Sequence, residues 1–123
     1  MTTPPPHGAT TPDEVDPAFA YQHVTARTAV LLDVREDDEY AAGHAPGAVH
    51  MPLSQLRDGA ELPVDLRQRS VLAICRSGAR SGVASRILAE RGHTVFNVVG
   101  GMQAWQQAGL PVVDERGGNG TVA

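Results

Sequence analysis

Seven residues, CRSGARS at 75–81, gather the groups of this chain best suited to chemistry on an anion. Cys75 is the only cysteine, Arg76 and Arg80 place two guanidinium groups within five positions of it, and Ser77, Gly78, Ala79 and Ser81 complete the segment. A thiol attacks as its thiolate, and its usual pKa of about 8.5 falls to roughly 3.5–7.5 beside cations or at a helix N-terminus. Arginine forks suit sulfonate, phosphate and carboxylate oxygens. Gly78 tolerates the positive φ with which successive amides converge into an anion-binding nest. If a helix begins at Ser81 and Gly82, its unpaired first-turn amides and its dipole face the same point. On these grounds the segment is a cradle that stabilises a thiolate and then an anionic substrate above it. The plainer alternative for a lone cysteine is a small buried side chain at a strand end.

The flanking elements must position that cradle. A short apolar stretch at 70–75 leads in as a strand, and SGVASRILAERG at 81–92 leads out as a helix with Val83, Ala84, Ile87 and Leu88 on one face and Gly92 as its stop. AVLLDV at 29–34 and TVFNVV at 94–99 are apolar runs of strand length, and 48–50 leaves room for a short strand. Asp16 and Pro17 fit an N-cap and first helical position for PAFAYQHVTA. EDDEYAAG forms a short acidic helix closed by Gly43, PLSQL a helical turn, and GGMQAWQQAG a last helix. Strands alternating with helices predict an α/β fold with a parallel sheet covered on both faces. Ligands of such sheets lie beyond the carboxyl ends of the strands, where Cys75 stands.

With 123 residues the chain has room for one domain, and a formal charge of -4 with dispersed arginines gives no footprint for nucleic acid. One cysteine excludes an internal disulfide, a CxxC pair and a cysteine-rich zinc site. No stretch approaches the ~18 apolar residues of a membrane span, and the first fourteen residues lack a signal-peptide core. A cytoplasmic protein with neither nucleic acid nor membrane as partner is the expectation. Residues 1–11 are expected as a disordered leader, 12–113 as the domain and 114–123 as a flexible tail.

Strand, CRSGARS and helix, together with LLDVRE at 31–36, GHAPGAVHMPL at 43–53, GGMQAW at 100–105 and GLP at 109–111, resemble the rhodanese (thiosulfate sulfurtransferase) family in order and separation. The resemblance spans about residues 12–113. It implies a single rhodanese-like domain, a five-stranded parallel sheet with helices on both faces, and a Cys75 that cycles between thiolate and persulfide. It further implies a small anionic sulfur donor such as thiosulfate and a cyanide or thiol acceptor, with a protein sulfur acceptor as a candidate partner. Amides from Arg76 to Arg80 would hold the persulfide, Arg76 would face the sulfonate and Arg80 would guard the mouth. Ser81 is expected to cap the helix, with donation to sulfur as its other role. An arginine directly after the cysteine resembles the thiosulfate-using loops more than the mercaptopyruvate-using ones, which carry glycine there. Two further classes stay open: a cysteine-dependent phosphatase or arsenate reductase of related architecture, and a sulfur-delivery or binding module acting with a partner.

Asp33, Arg35 and His44 are expected as structural support. An acid at the end of a buried strand is usually tied to nearby amides, Arg35 suits an ion pair, and His44 suits orienting the loop after the acidic helix. His44, His50, His93 and Cys75 lack the short spacing of metal ligands, and no nucleotide fingerprint is present, so neither metal nor organic cofactor is expected. Met102 and Trp105 fit core packing. Gly100 and Gly101 suit either a bare-backbone approach to the site or a tight turn. Residues 36–39 are expected as a solvated helix start.

Overall fold

Leu72 and Ile74 of the strand β4 (Val71–Ile74) face one side of the sheet, and Val71, Ala73 and the following Cys75 face the other. Both sides are covered, so the run is continuously apolar rather than alternating with polar residues. The computed structural model describes residues 13–123, and the leader expected over 1–11 lies outside them. β1 (Asp13–Val15), β2 (Val30–Asp33), β3 (Val49–His50) and β5 (Val95–Val98) join β4 in one five-stranded sheet of order β1-β5-β4-β2-β3. Every pairing is parallel.

Helices α1 (Pro17–Thr25) and α5 (Gly101–Gln107) cover the Leu72 side, where Ala20, Met102 and Trp105 are buried with Leu31 and Val98. Helices α3 (Leu53–Arg57) and α4 (Ala79–Glu90) cover the Cys75 side with Leu53, Leu56, Ala84 and Leu88. Asp16 caps α1, its Oδ1 accepting from the Phe19 amide at 2.8 Å. α4 ends in a Schellman turn: Gly92, at φ +90°, donates to Ala89 O, and His93 donates to Leu88 O, both at 3.0 Å. Its start differs from expectation. Gly78, at φ +110°, is the N-cap, so the helix begins at Ala79 rather than Ser81.

Residues 114–123, expected as a flexible tail, are instead bonded back onto the domain. His44 and Val113, and Val113 and Asn119, form antiparallel bridges, and the Thr121 amide donates to Ala42 O at 3.0 Å. Asp114 Oδ1 accepts from the amides of Arg116 and Gly118 at 2.9 Å each, which turns the chain, and Val122 packs on the Trp105 side of the core. A Cβ at Gly43 would strike the Thr121 backbone. The glycines that suggest disorder by composition serve here as turn and contact residues.

Asp33 closes β2, and the helix α2 (Asp37–Ala42) follows after three intervening residues. Asp33 and Arg35 are both fully buried. Arg35 Nε donates to Asp33 Oδ1 at 2.9 Å and Nη2 to Oδ2 at 2.7 Å, while the Arg35 amide donates to Oδ1 at 3.1 Å. Nη2 also donates to Gly43 O at 2.7 Å, fixing the C-terminal end of α2. Removing the carboxylate leaves a buried, uncompensated guanidinium, which costs about 3–5 kcal/mol. Asp33→Ala is therefore expected to lower the urea midpoint by that amount of stability, and a loss below about 1 kcal/mol would show that the pair does not hold this region together.

Candidate active site

Cys75 follows the last residue of β4 and is 1 % exposed. Its Sγ accepts from the Gly78 amide at 3.0 Å and lies 3.3 Å from Ser81 Oγ. The orientation of the loop is set from outside it. At the start of α5 the amides of Met102 and Gln103 donate to the carbonyls of Cys75 and Arg76 at 2.7 and 3.0 Å. A trans peptide carries its N–H opposite its C=O, so a carbonyl of Arg76 turned toward α5 turns the Ser77 amide toward the sulfur. Gly101 makes this approach possible: it has φ +57°, and a Cβ there would collide with the Cys75 and Arg76 carbonyls. Of the two roles left open for the paired glycines, both are present, since Gly100 at φ +76° also makes the turn.

Burial is the largest influence on the Cys75 thiol and works against ionisation. The Ser81 hydroxyl and the amides of Ser81, Gly78 and Ser77 act the other way and together prevail, holding the thiol below its ordinary pKa. Ser81 is not the helix cap. As the third residue of α4 it directs its side chain back along the helix toward the sulfur.

Arg76, Ser77 and Ala79 are exposed, and the Arg76 guanidinium has no partner among the described residues. Arg80 is engaged: its Nη1 and Nη2 donate to Glu39 Oε1 and Oε2 at 2.6 and 2.8 Å. The hydrogen bond from Arg80 is the main reason the Glu39 carboxyl falls to about 2, against its own desolvation. Glu39 was expected in a solvated helix start, and the structure corrects this. Its side chain accepts from the Glu36 amide at 3.0 Å in a capping box, and the same group reaches across to the loop.

Asp33, Arg35 and His44 make no hydrogen bond to the loop. They serve α2 instead: His44 Nδ1 pairs with Tyr40 O at 2.7 Å, and the His44, Tyr40 and His50 rings stack at 3.9 and 4.2 Å. α2 in turn presents Glu39. Asn97 of β5 is the other site residue that sequence reasoning missed. Ser81 Oγ lies 2.6 Å from Asn97 Oδ1, and Asn97 Nδ2 donates to Gly78 O at 3.2 Å. Its signal was present as one amide within the apolar run TVFNVV.

The strand-end cysteine, the Gly78 amide on its sulfur and the all-parallel order of the sheet agree with the family to which comparison with known proteins assigns the chain. Residues 16–108 match the family model described as Rhodanese-like domain, and the chain belongs to that family. It is 32 % identical over 103 residues to the thiosulfate sulfurtransferase GlpE of Actinobacillus succinogenes, covering 80 % of this chain and 88 % of that one. It is 38 % identical over 103 residues to the HTH-type transcriptional regulator Rv0324 of Mycobacterium tuberculosis, covering 81 % of this chain but only 44 % of that relative. The crystal structure of a rhodanese-related protein from Thermoplasma volcanium superposes with a TM-score of 0.73 at 31 % identity, over 84 % of this chain and 99 % of that one. Among the described residues no helix is long and apolar enough to cross a membrane.

The Glu39–Arg80 pair is partly exposed, so solvent screening limits its worth to no more than about 1 kcal/mol. Because the folded Glu39 sits at about 2 against an ordinary 4.5, that contribution is complete above the ordinary value and is lost as pH falls through about 2. Glu39→Gln is expected to lose this small increment at neutral pH, with the stability gap to the wild type closing as acid is added. Denaturation curves that keep the gap constant down to pH ~2 would show that the carboxylate charge is not its source.

Proposed function

We propose that the chain transfers a sulfane sulfur from thiosulfate, or a donor of similar form, to a thiol or cyanide through a persulfide on Cys75. The Cys75 thiolate attacks the outer sulfur of the donor, the donor S–S bond breaks, and its electron pair departs with sulfite. An acceptor thiolate or cyanide then attacks the terminal sulfur, and the electron pair of the breaking bond returns to Sγ. One difficult transfer is thereby divided into two displacements at a single residue.

The observation that carries this reading is the Gly78 amide 3.0 Å from Sγ, among loop amides that favour the Cys75 thiolate, beside an Arg76 guanidinium without a partner among the described residues. The amides of the loop stabilise the thiolate and, one atom further out, the terminal sulfur of the persulfide. Arg76 supplies the free cation for the sulfonate of the donor. Arg80 holds the loop against α2, a different task from guarding the mouth.

A cysteine phosphatase places an arginine at the sixth position after its nucleophile, to close over the oxygens of a phosphoryl group. Here that position is Ser81, within hydrogen-bond distance of the sulfur. Sulfite leaves without a proton donor, whereas an alcohol leaving group needs one, and no aspartate stands in the loop. Thiosulfate is therefore expected to be used in preference to mercaptopyruvate, with aryl phosphates hydrolysed only at the background rate.

Intact-mass analysis after brief exposure to thiosulfate is expected to show one added sulfur on the wild type, removed again by a thiol. Cys75→Ala and Cys75→Ser should gain none, and turnover by the alanine variant would overturn the proposal. Arg76→Ala is expected to lower kcat/KM for thiosulfate roughly ten- to hundredfold, since a charge-assisted contact is worth ~1.5–3 kcal/mol, with stability unchanged. An unaltered kcat/KM would remove Arg76 from donor binding.

A further inference from the structure

The Ser81 hydroxyl has three neighbours that can accept a hydrogen bond and one proton to give. Its Oγ lies 2.6 Å from Asn97 Oδ1, 3.3 Å from Cys75 Sγ and 3.3 Å from Gly78 O. The orientation of the Asn97 amide decides which of them receives it. Gly78 O can only accept, so the Asn97 atom 3.2 Å from it must be the nitrogen, and the atom facing Ser81 must then be the oxygen. Two oxygens 2.6 Å apart need a proton between them, and the only one available is that of Ser81. While it is there, Cys75 Sγ faces an oxygen lone pair, an arrangement that suits a thiol donating to Ser81 and opposes a thiolate.

The placement of Asn97 is built rather than incidental. It is 5 % exposed, it stands beside Ala73 in the β4–β5 register, and so it lies on the Cys75 side of the sheet under the first turn of α4. The Gly78 carbonyl that it holds also accepts from the Gly82 amide at 3.1 Å, so the loop keeps one anchor when the Asn97 amide is removed.

We propose that Asn97 is a positioning residue that competes with Cys75 for the single Ser81 proton, holding the hydroxyl away from the sulfur until ionisation draws it across. When the thiol proton passes to a base in solution, the Ser81 O–H bond turns from Asn97 Oδ1 to Sγ, and Asn97 Oδ1 loses its donor. No covalent bond other than S–H is broken. In the proposed sulfur transfer, persulfide formation moves the negative charge to the terminal sulfur, so the Ser81 hydroxyl is released to return to Asn97. Use of the switch in turnover rests on that reading, but the competition itself does not, and alkylation measures it without any sulfur donor. The charged groups that face the loop are Arg76 on it, Arg80 of α4, Glu39 of α2 and Glu36 at its N-cap. All four are left in place by the test.

The experiment is the pH profile of iodoacetamide alkylation on the reduced 123-residue chain, where Cys75 is the only thiol and the rate midpoint reports its ionisation. Asn97→Ala frees the Ser81 proton for the sulfur and is expected to lower the midpoint by about one pH unit. Ser81→Ala is expected to raise it, and the double variant should match Ser81→Ala alone. Asn97→Asp keeps the acceptor, adds negative charge and is expected to raise the midpoint. A midpoint that stays or rises in Asn97→Ala overturns the proposal, as does a fall that persists in the Ser81→Ala background. If circular dichroism shows Asn97→Ala unfolded, Asn97→Asp and Ser81→Ala decide, and an unchanged or lowered midpoint in either one overturns it.

Discussion

Two hydrogen bonds made away from the sulfur govern the site: the amides of Met102 and Gln103 take up the carbonyls of Cys75 and Arg76. Because each peptide is a rigid plane, pulling the carbonyls toward α5 commits the opposite edges of the loop to face inward. The cradle is thus a property of the contact between two chain segments, not of CRSGARS in isolation. Gly101 is the cost of that contact, since any side chain there would fill the space the carbonyls occupy. Its positive φ, and that of Gly78 within the loop, are conformations other residues adopt only under strain.

The second support runs through α2. Asp33 and Arg35 share a buried pair that reaches Gly43, the stacked rings of His44, Tyr40 and His50 lie alongside, and the C-terminal residues close over Ala42. None of these bonds is made to the Cys75 side chain. Together they place Glu39 so that its carboxylate grips Arg80 at the head of α4. The arginine nearest the helix is thereby neutralised, which leaves Arg76 as the charge the loop offers to solvent.

Much of this was legible because the signals are local. A strand, a glycine-bearing loop and a helix around one cysteine are adjacent in sequence, and the Asp16-Pro17 cap and the Gly92 stop act within a few residues of themselves. What was illegible depends on distance along the chain. Glu39 lies 41 positions from Arg80, and Asn97 lies 16 from Ser81, so neither pairing leaves a periodicity to read. β1, at three residues, is too short to alternate and is a strand only because β5 offers it an edge. The end of the chain misled for another reason: glycine and asparagine mark disorder by composition and turns by position, and here position prevails.

The strand order carries a consequence for how the protein is made. A ribosome releases the N-terminus first, so β1 emerges long before its sole partner, whereas β2 and β4 can pair as soon as both are out. When β5 arrives it completes the ladders to β1 and β4 together, and the Val99 amide then binds Val15 O at 2.8 Å, directly before the Gly100 turn. Only after that turn do Met102 and Gln103 exist to orient the cysteine loop. Between the synthesis of Cys75 and that of Met102 the nascent chain therefore carries its thiol without the backbone partners that shape its reactivity, and acquires them when the domain is almost whole.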